Sequence, residues 1–178
     1  MRVITGKARG VVLKTPNGMH TRPTTDRVKE ALFSIIQFEI PTAKVLDLFG
    51  GTGQLGIEAI SRGAKSAIFV DAGDAPCRLI KENLKRAKME SEGRVVRSDY
   101  LQYLSQCRET FDIIFLDPPY RFDYGERALK KIVEKDLLSG DGVIVYERDC
   151  AFDGEIKGLE KYDIRKYGKA IFTFFRRE

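Results

Sequence analysis

Asp47-Leu48-Phe49-Gly50-Gly51-Thr52-Gly53-Gln54-Leu55-Gly56 is the stretch on which the reading of this chain turns. It grows out of the apolar run Val45–Phe49 and opens a helical pattern over Gln54–Ser61. Gly51, Gly53 and Gly56 satisfy G-x-G-x-x-G, and Asp71 stands at the end of the next apolar run, 20 residues after Gly51. Glycines at this spacing permit a tight strand-to-helix turn, and the start of the helix presents free N–H groups. Downstream, apolar runs recur at Ala67–Val70, Arg94–Val96, Phe111–Leu116 and Gly142–Tyr146. Helical patterns lie between them at Asp74–Met89, Tyr100–Gln106 and Tyr124–Lys135. Such alternation predicts βαβ units, hence a mainly parallel sheet with helices on both faces. After Glu147 the alternation stops. Tyr162–Lys166 and Ala170–Phe175, joined by Tyr167-Gly168-Lys169, read as an antiparallel hairpin that closes one edge with a reversed last strand.

Upstream of the loop, residues 2–15 alternate around Gly6 and Gly10 and read as a short β-hairpin. Arg22-Pro23-Thr24-Thr25 reads as the cap of a helix running to about Phe38, with Val28, Ala31, Leu32, Ile35 and Ile36 on one face. The predicted division is a basic N-terminal β-hairpin extension over 1–21 and a Rossmann-like α/β domain over 22–178. Of the 178 residues, 31 are Lys or Arg and 26 are Asp or Glu. Residues 1–44 hold eight of the basic side chains and three of the acids, so the net charge of +5 comes from the first quarter. A basic patch of that kind attracts polyanions, and its placement points to nucleic acid. Three scattered cysteines and one histidine predict neither a disulfide framework nor a metal site. No apolar run approaches a membrane span, and the expected setting is the cytoplasm.

Asp47 bears on the ligand. A pyrophosphate in the glycine loop would lie beside that carboxylate, a repulsion of about 4 kcal/mol at roughly 4 Å for an effective dielectric near 20. S-adenosylmethionine has no phosphate and carries a sulfonium and an α-amine, so an acid at the tip of the first strand favours it over a nicotinamide dinucleotide. Asp71 is placed to accept from ribose hydroxyls. Asp99, with Tyr100 beside it, is placed to accept from an adenine amine or to cap the helix that begins there. Asp117-Pro118-Pro119-Tyr120 ends the fourth strand and should face the same crevice. Two prolines stiffen this turn and leave carbonyl oxygens free. The Asp117 carboxylate and the Pro118 carbonyl would accept both hydrogens of an exocyclic amine and draw it towards a tetrahedral geometry, while Tyr120 offers a face for an extruded base.

Together, the segment Arg22–Ile36, the Asp47–Ala59 loop and Asp117–Tyr120 resemble the RsmD family, guanine-N2 methyltransferases of bacterial small-subunit ribosomal RNA. The resemblance implies a class I methyltransferase fold with a mainly parallel seven-stranded sheet. It also implies S-adenosylmethionine as cofactor, no metal, and 16S rRNA or a small-subunit assembly particle as substrate of a monomer. By motif, the cofactor residues would be Asp47, Phe49, Gly50, Gly51, Gly53, Asp71, Ala72, Asp99 and Tyr100. The catalytic set would be Asp117, Pro118, Pro119 and Tyr120, with Arg2, Lys7, Arg9, Lys14 and Arg22 on RNA phosphates. Asp71 stands where a longer Glu is expected. Three other readings stay open on the residues alone: another amine methyltransferase such as an N6-adenine enzyme, a nicotinamide-dependent oxidoreductase, and a non-catalytic RNA-binding assembly factor.

Overall fold

Val45 and Leu46 of β1 (Lys44–Asp47), Ala67 to Val70 of β2 (Ser66–Asp71) and Ile113 to Leu116 of β4 (Phe111–Leu116) are buried on both of their faces. Strands apolar on both sides must lie between two covering layers. The computed structural model describes residues 1–16, 26–119 and 123–178 and shows those layers. With β3 (Gly93–Arg97), β5 (Leu138–Arg148), β6 (Leu159–Tyr167) and β7 (Ala170–Arg177), the strands form a seven-stranded sheet of order β3-β2-β1-β4-β5-β7-β6. Strands β1 to β5 pair in parallel, and β7 pairs antiparallel with both β5 and β6. Chain order reverses between β1 and β4, the place where such sheets open a crevice at their carboxyl ends.

Side-chain alternation sorts the core into two halves. Val45, Ile113 and Phe115 point to α1 (Asp26–Ile35), α2 (Gln54–Ser61) and α3 (Asp74–Arg86). Leu46, Ile114 and Leu116 point to α4 (Tyr100–Gln106) and α5 (Tyr124–Glu134). The buried stripe of α1 is Lys29, Leu32 and Phe33, continued by Ile36; Val28, Ala31 and Ile35, expected on that face, are only partly covered. The stripe is rotated by about one residue because Lys29 has a buried partner. Its Nζ donates to the Arg2 carbonyl at 2.5 Å and lies 3.4 Å from Glu58 Oε2 on α2. Lys29 therefore adds nothing to the basic surface.

The start of the chain folds back through a single antiparallel bridge, Arg2 to Val12, with Val3 N–H donating to Val11 O and Gly10 N–H to Val3 O. Leu13 N–H donates to Met1 O at 3.1 Å, and the segment is also bound to helices. Val3, Ala8 and Leu13 are buried in the α1–α3 half of the core. Glu58 accepts from Ile4 N (2.9 Å) and Thr5 N (3.0 Å), and Ser61 Oγ donates to Thr5 O at 2.6 Å. Asn83 of α3 is fully buried and exchanges hydrogen bonds with the backbone of Lys14 while donating to Thr52 O at 2.9 Å. Residues 1–16 are thus stitched to α2, α3 and the glycine loop.

Most element boundaries fall within a few residues of the sequence reading. β5 begins at Leu138, four residues before Gly142, and its pairing with β4 shifts register between Phe111 and Ile113, where Gly140-Asp141-Gly142 would have signalled a loop. α3 is capped by Gly73, leaving Asp74 as its first residue. Among the described residues, no helix is long and apolar enough to cross a membrane.

Candidate active site

Four aspartates mark the carboxyl edge of the sheet: Asp47 and Asp71 end β1 and β2, Asp99 follows β3 and Asp117 follows β4. A cavity of about 760 Å³ opens there. Of the residues expected to hold a cofactor, Phe49, Gly51, Asp71, Ala72, Asp99 and Tyr100 line it. Asp117, Pro118 and Pro119 line the same space. The glycine loop and the rigid turn after β4 therefore share one chamber. Tyr120 and Arg22 lie outside the described residues. A second cavity of similar volume, beside β6 and lined by Ile156, Lys157, Lys161 and Phe175, contains none of the predicted residues.

The loop owes its shape to its glycines and to two carboxyl groups. Gly51 and Gly53 hold left-handed backbone, with φ of 55° and 78°, a conformation that costs glycine nothing. Asp71 Oδ2 accepts from Gly51 N at 3.1 Å and its Oδ1 from Gly73 N at 2.8 Å, tying the β1–α2 turn to the β2–α3 turn. At Gly56 any Cβ would stand 2.3 Å from the Phe69 ring, so only glycine lets α2 approach β2 this closely.

Asp47, Gly50 and Gly53 are buried and are not among the residues that line the cavity. Asp47 is 3% exposed, and its Oδ2 accepts from Gly56 N at 3.2 Å. Burial pushes its carboxyl up to about 8; the Gly56 hydrogen bond opposes the rise, and the nearby Asp117 and Asp71 charges add to it. The negative charge presented to a ligand accordingly comes mainly from Asp71, Asp99 and Asp117. Burial also raises Asp117, to about 6. Acids gathered along one edge, Asp71 and Asp117 half-buried and Asp99 exposed, favour a cationic ligand and oppose a diphosphate, which is the preference read from Asp47 alone, now carried by several groups. Asp99 fills its capping role: Oδ1 accepts from Leu101 N at 2.9 Å and Gln102 N at 3.0 Å, while the residue still lines the cavity.

An aromatic row runs along one wall. The Tyr100 ring lies 5.1 Å from Phe49 and 5.2 Å from Tyr124, and Arg127 of α5 lines the cavity one helical turn beyond Tyr124. Tyr124 and Arg127 escaped the sequence reading. The signal available was their i, i+3 spacing at the start of the helix that follows the Asp-Pro-Pro-Tyr turn.

The basic residues expected on RNA are spread over the surface. Arg2 pairs with Asp26 at 2.8 Å, Lys14 with Glu82 and Lys7 with Glu92. Glu92 directly precedes β3, so Lys7 sits at the pole opposite the crevice. Arg9 joins Arg2 and Thr5 around a polar cleft of about 350 Å³. Exposed pairs of this kind are weak and open readily to a competing anion. Among the described residues, no group of three or more His, Cys, Asp or Glu side chains is placed to hold a metal ion.

Comparison with known proteins places this geometry. The family described as Conserved hypothetical protein 95 matches residues 1–176. Ribosomal RNA small subunit methyltransferase D of Haemophilus influenzae is 37% identical over 152 residues, covering 84% of this chain and 79% of that protein. The protein of the same name from Escherichia coli K12 is 35% identical over 149 residues, covering 84% and 75%. The chain belongs to the RsmD family. The solved structure of yhhF from Escherichia coli aligns with this RsmD-family chain at a TM-score of 0.90, with 31% identity over 100% of this chain and 98% of that one. The RsmD resemblance read from the motifs holds over nearly the full length, and the fold is that of the class I, Rossmann-like methyltransferases.

Proposed function

We propose that this RsmD-family chain methylates the exocyclic N2 of a guanine in 16S ribosomal RNA, working as a monomer in the cytoplasm on the RNA or on a small-subunit assembly particle. The coarser statement, that it is an S-adenosylmethionine-dependent methyltransferase of ribosomal RNA, follows from its family. The observation that carries the finer reading is the shared chamber: the acid-edged glycine loop and Asp117-Pro118-Pro119 line one cavity of about 760 Å³. The fit to the cofactor is chemical. Asp71 and Asp99 are acceptors suited to ribose hydroxyls and an adenine amine, and the acidic edge suits a sulfonium and an α-amine.

Bound S-adenosylmethionine supplies an electrophilic methyl group on sulfur. The chain's own residues prepare the acceptor. An exocyclic amine is a poor nucleophile because its lone pair is delocalised into the ring. The Asp117 carboxylate accepts one N–H and the Pro118 carbonyl the other, which pulls the nitrogen out of conjugation and frees the lone pair. Pro118 and Pro119 lack N–H groups and keep the turn rigid, so these acceptors hold their direction. Desolvation of Asp117 strengthens its hydrogen bond to a polarised N–H. The proton leaves to water after transfer, and no side-chain base is required. Tyr120 is assigned to stacking on the base, and Arg2, Lys7, Arg9, Lys14 and Arg22 to phosphates, on the strength of their sequence positions.

The test is direct. Purified protein is incubated with 16S rRNA and methyl-labelled S-adenosylmethionine, and the digested nucleosides are analysed by mass spectrometry. Labelled N2-methylguanosine is expected, at a position then mapped by fragment analysis. Label in N6-methyladenosine, or no labelled nucleoside, overturns the reading.

A further inference from the structure

We propose that Arg148, Lys166 and Lys169, at the carboxyl edge of β5 and the terminal hairpin, form a ridge that holds the RNA phosphates flanking the target nucleotide. The inference rests on the reading above, in which the acceptor amine is held at Asp117, and supplies a footing for the RNA beside it. β5 runs parallel to β4, so its last residue, Arg148, lies at the carboxyl edge. β6 runs up to that edge and β7 runs back from it, which places Tyr167-Gly168-Lys169 there as well. The register fixes the separations. Tyr146 is level with Leu116, so Arg148 stands one strand across from Asp117 and one residue further out. With strands about 4.8 Å apart and a rise of about 3.3 Å per residue, that is a backbone separation of about 6 Å. Arg148, Ile171 and Lys166 lie directly opposite one another across β5, β7 and β6 and share one face of the sheet. Lys166 is therefore about 10 Å from Arg148, and Lys169 stands in the turn just beyond. The expected cofactor residues follow β1, β2 and β3, on one flank of Asp117; the ridge is the other flank.

These cations are available to a ligand. Lys166 and Lys169 are exposed and Arg148 is partly so, and among the described residues none of the three is ion-paired. Asp163, the acid nearest in sequence to the two lysines, is taken by Arg165 at 2.9 Å. The Arg148 guanidinium lies over the Tyr146 and Phe152 rings, 5.7 and 5.9 Å from their centres, a contact that braces it without occupying its N–H donors. At the start of the chain, by contrast, Arg2, Lys7 and Lys14 are engaged by Asp26, Glu92 and Glu82. Gly168 leaves the turn open, since a Cβ there would meet nothing within 4 Å, so a sugar-phosphate backbone can approach closely. Lysine heads on flexible stems suit phosphates and read no sequence, which fits positioning contacts beside a base held elsewhere. The occupant is the substrate RNA because the ridge is continuous with the end of β4 that receives its base.

The test removes the charges and reads RNA binding. A 16S rRNA fragment containing the methylated position mapped above is titrated with protein in the presence of S-adenosylhomocysteine over a range of salt concentrations. K166A/K169A should bind roughly 10-fold more weakly than wild type at low salt. Its plot of log affinity against log salt should be shallower by about 1.5, the slope expected of two lost phosphate contacts to a single strand. K166R/K169R should restore both quantities, and Arg148→Gln should lose about threefold. K44A/K65A, which removes two exposed lysines from the opposite edge of the sheet, should stay within about twofold of wild type. Replacing the phosphates next to the target nucleotide by uncharged methylphosphonates should weaken wild type and leave K166A/K169A within about twofold. Affinity for S-adenosylhomocysteine, measured by calorimetry, should be within about threefold of wild type in every variant. An unchanged RNA affinity and salt slope in K166A/K169A overturns the proposal, as does an equal loss in K44A/K65A or an equal methylphosphonate effect in both proteins. Wild type that methylates no nucleoside of the RNA instead removes the underlying reading.

Discussion

Binding of the methyl donor should expel protons from the crevice, and the expected size can be worked out. Asp47 is held near 8 and Asp117 near 6 when no ligand is bound, chiefly through burial. Both shifts are upward: Asp47 retains its proton at neutral pH and Asp117 regains one towards pH 6, and a cation, which favours the ionised forms, must drive them off. Affinity for S-adenosylmethionine therefore rises with pH through this window. At pH 6 a carboxyl of pKa about 8 is ionised in about one molecule in a hundred, against about half at pH 8. Asp117 contributes a further factor of about two at pH 6. If the bound state needs both charges, affinity falls by roughly 100-fold from pH 8 to pH 6, or about 2.7 kcal/mol. Calorimetry in buffers of different ionisation enthalpy measures both the affinity and the protons released. The ligand's own amine titrates near the top of this range, so the informative quantity is the difference between wild type and Asp47→Asn. That variant keeps an acceptor for Gly56 N and removes the titration. Identical pH slopes for the two proteins would refute the reasoning.

Further outcomes are expected from the described geometry. Asp117→Ala removes one charge-assisted acceptor and should lower kcat on rRNA by roughly 10- to 100-fold, with S-adenosylhomocysteine affinity within about threefold, as read by single-turnover and calorimetric assays. Gly6 has φ of 91°, and a Cβ there would stand 1.8 Å from the Ser61 carbonyl oxygen. Gly6→Ala should cost at least about 3 kcal/mol and lower Tm by roughly 6–12 °C in scanning calorimetry. Lys29→Met leaves Glu58 buried with Arg62 and two backbone N–H groups as its remaining partners. It should cost about 3 kcal/mol in urea unfolding, and Lys29→Met/Glu58→Leu should recover part of that loss.

What could be read from the chain was whatever periodicity and turn chemistry encode locally. The βα alternation, the glycine loop and the Asp117–Pro119 turn all lie where their patterns indicated. What could not be read depends on partners distant in sequence. Lys29 looks like a solvated helix residue until Glu58 and the Arg2 carbonyl meet it. Asn83 has no local signature, because its partners Lys14 and Thr52 come from two other segments. Residues 2–15 carry strand-like alternation and do fold back antiparallel, but sequence alternation could not show that Glu58, Ser61 and Asn83 take up several of their remaining backbone groups. The Asp47 argument reached a serviceable conclusion through an incomplete picture: sequence spacing shows that an acid ends the strand and cannot show that the loop covers it. Arg127 was hidden for a similar reason, since helix α5 reads as an amphipathic surface helix until its first turn is seen to form a wall of the crevice.

The order of the last three strands constrains how this protein can be assembled. β7 is made after β6 yet lies between β6 and β5, so the outermost strand has no berth until its successor exists. During synthesis β5 must wait with a bare flank, and β6 cannot settle beside it in passing. β6 joins only together with β7, as a hairpin folded about Tyr167–Lys169, or after β7 has docked on β5. The sheet is therefore complete only once the end of the chain has been made and β7 has paired on both sides.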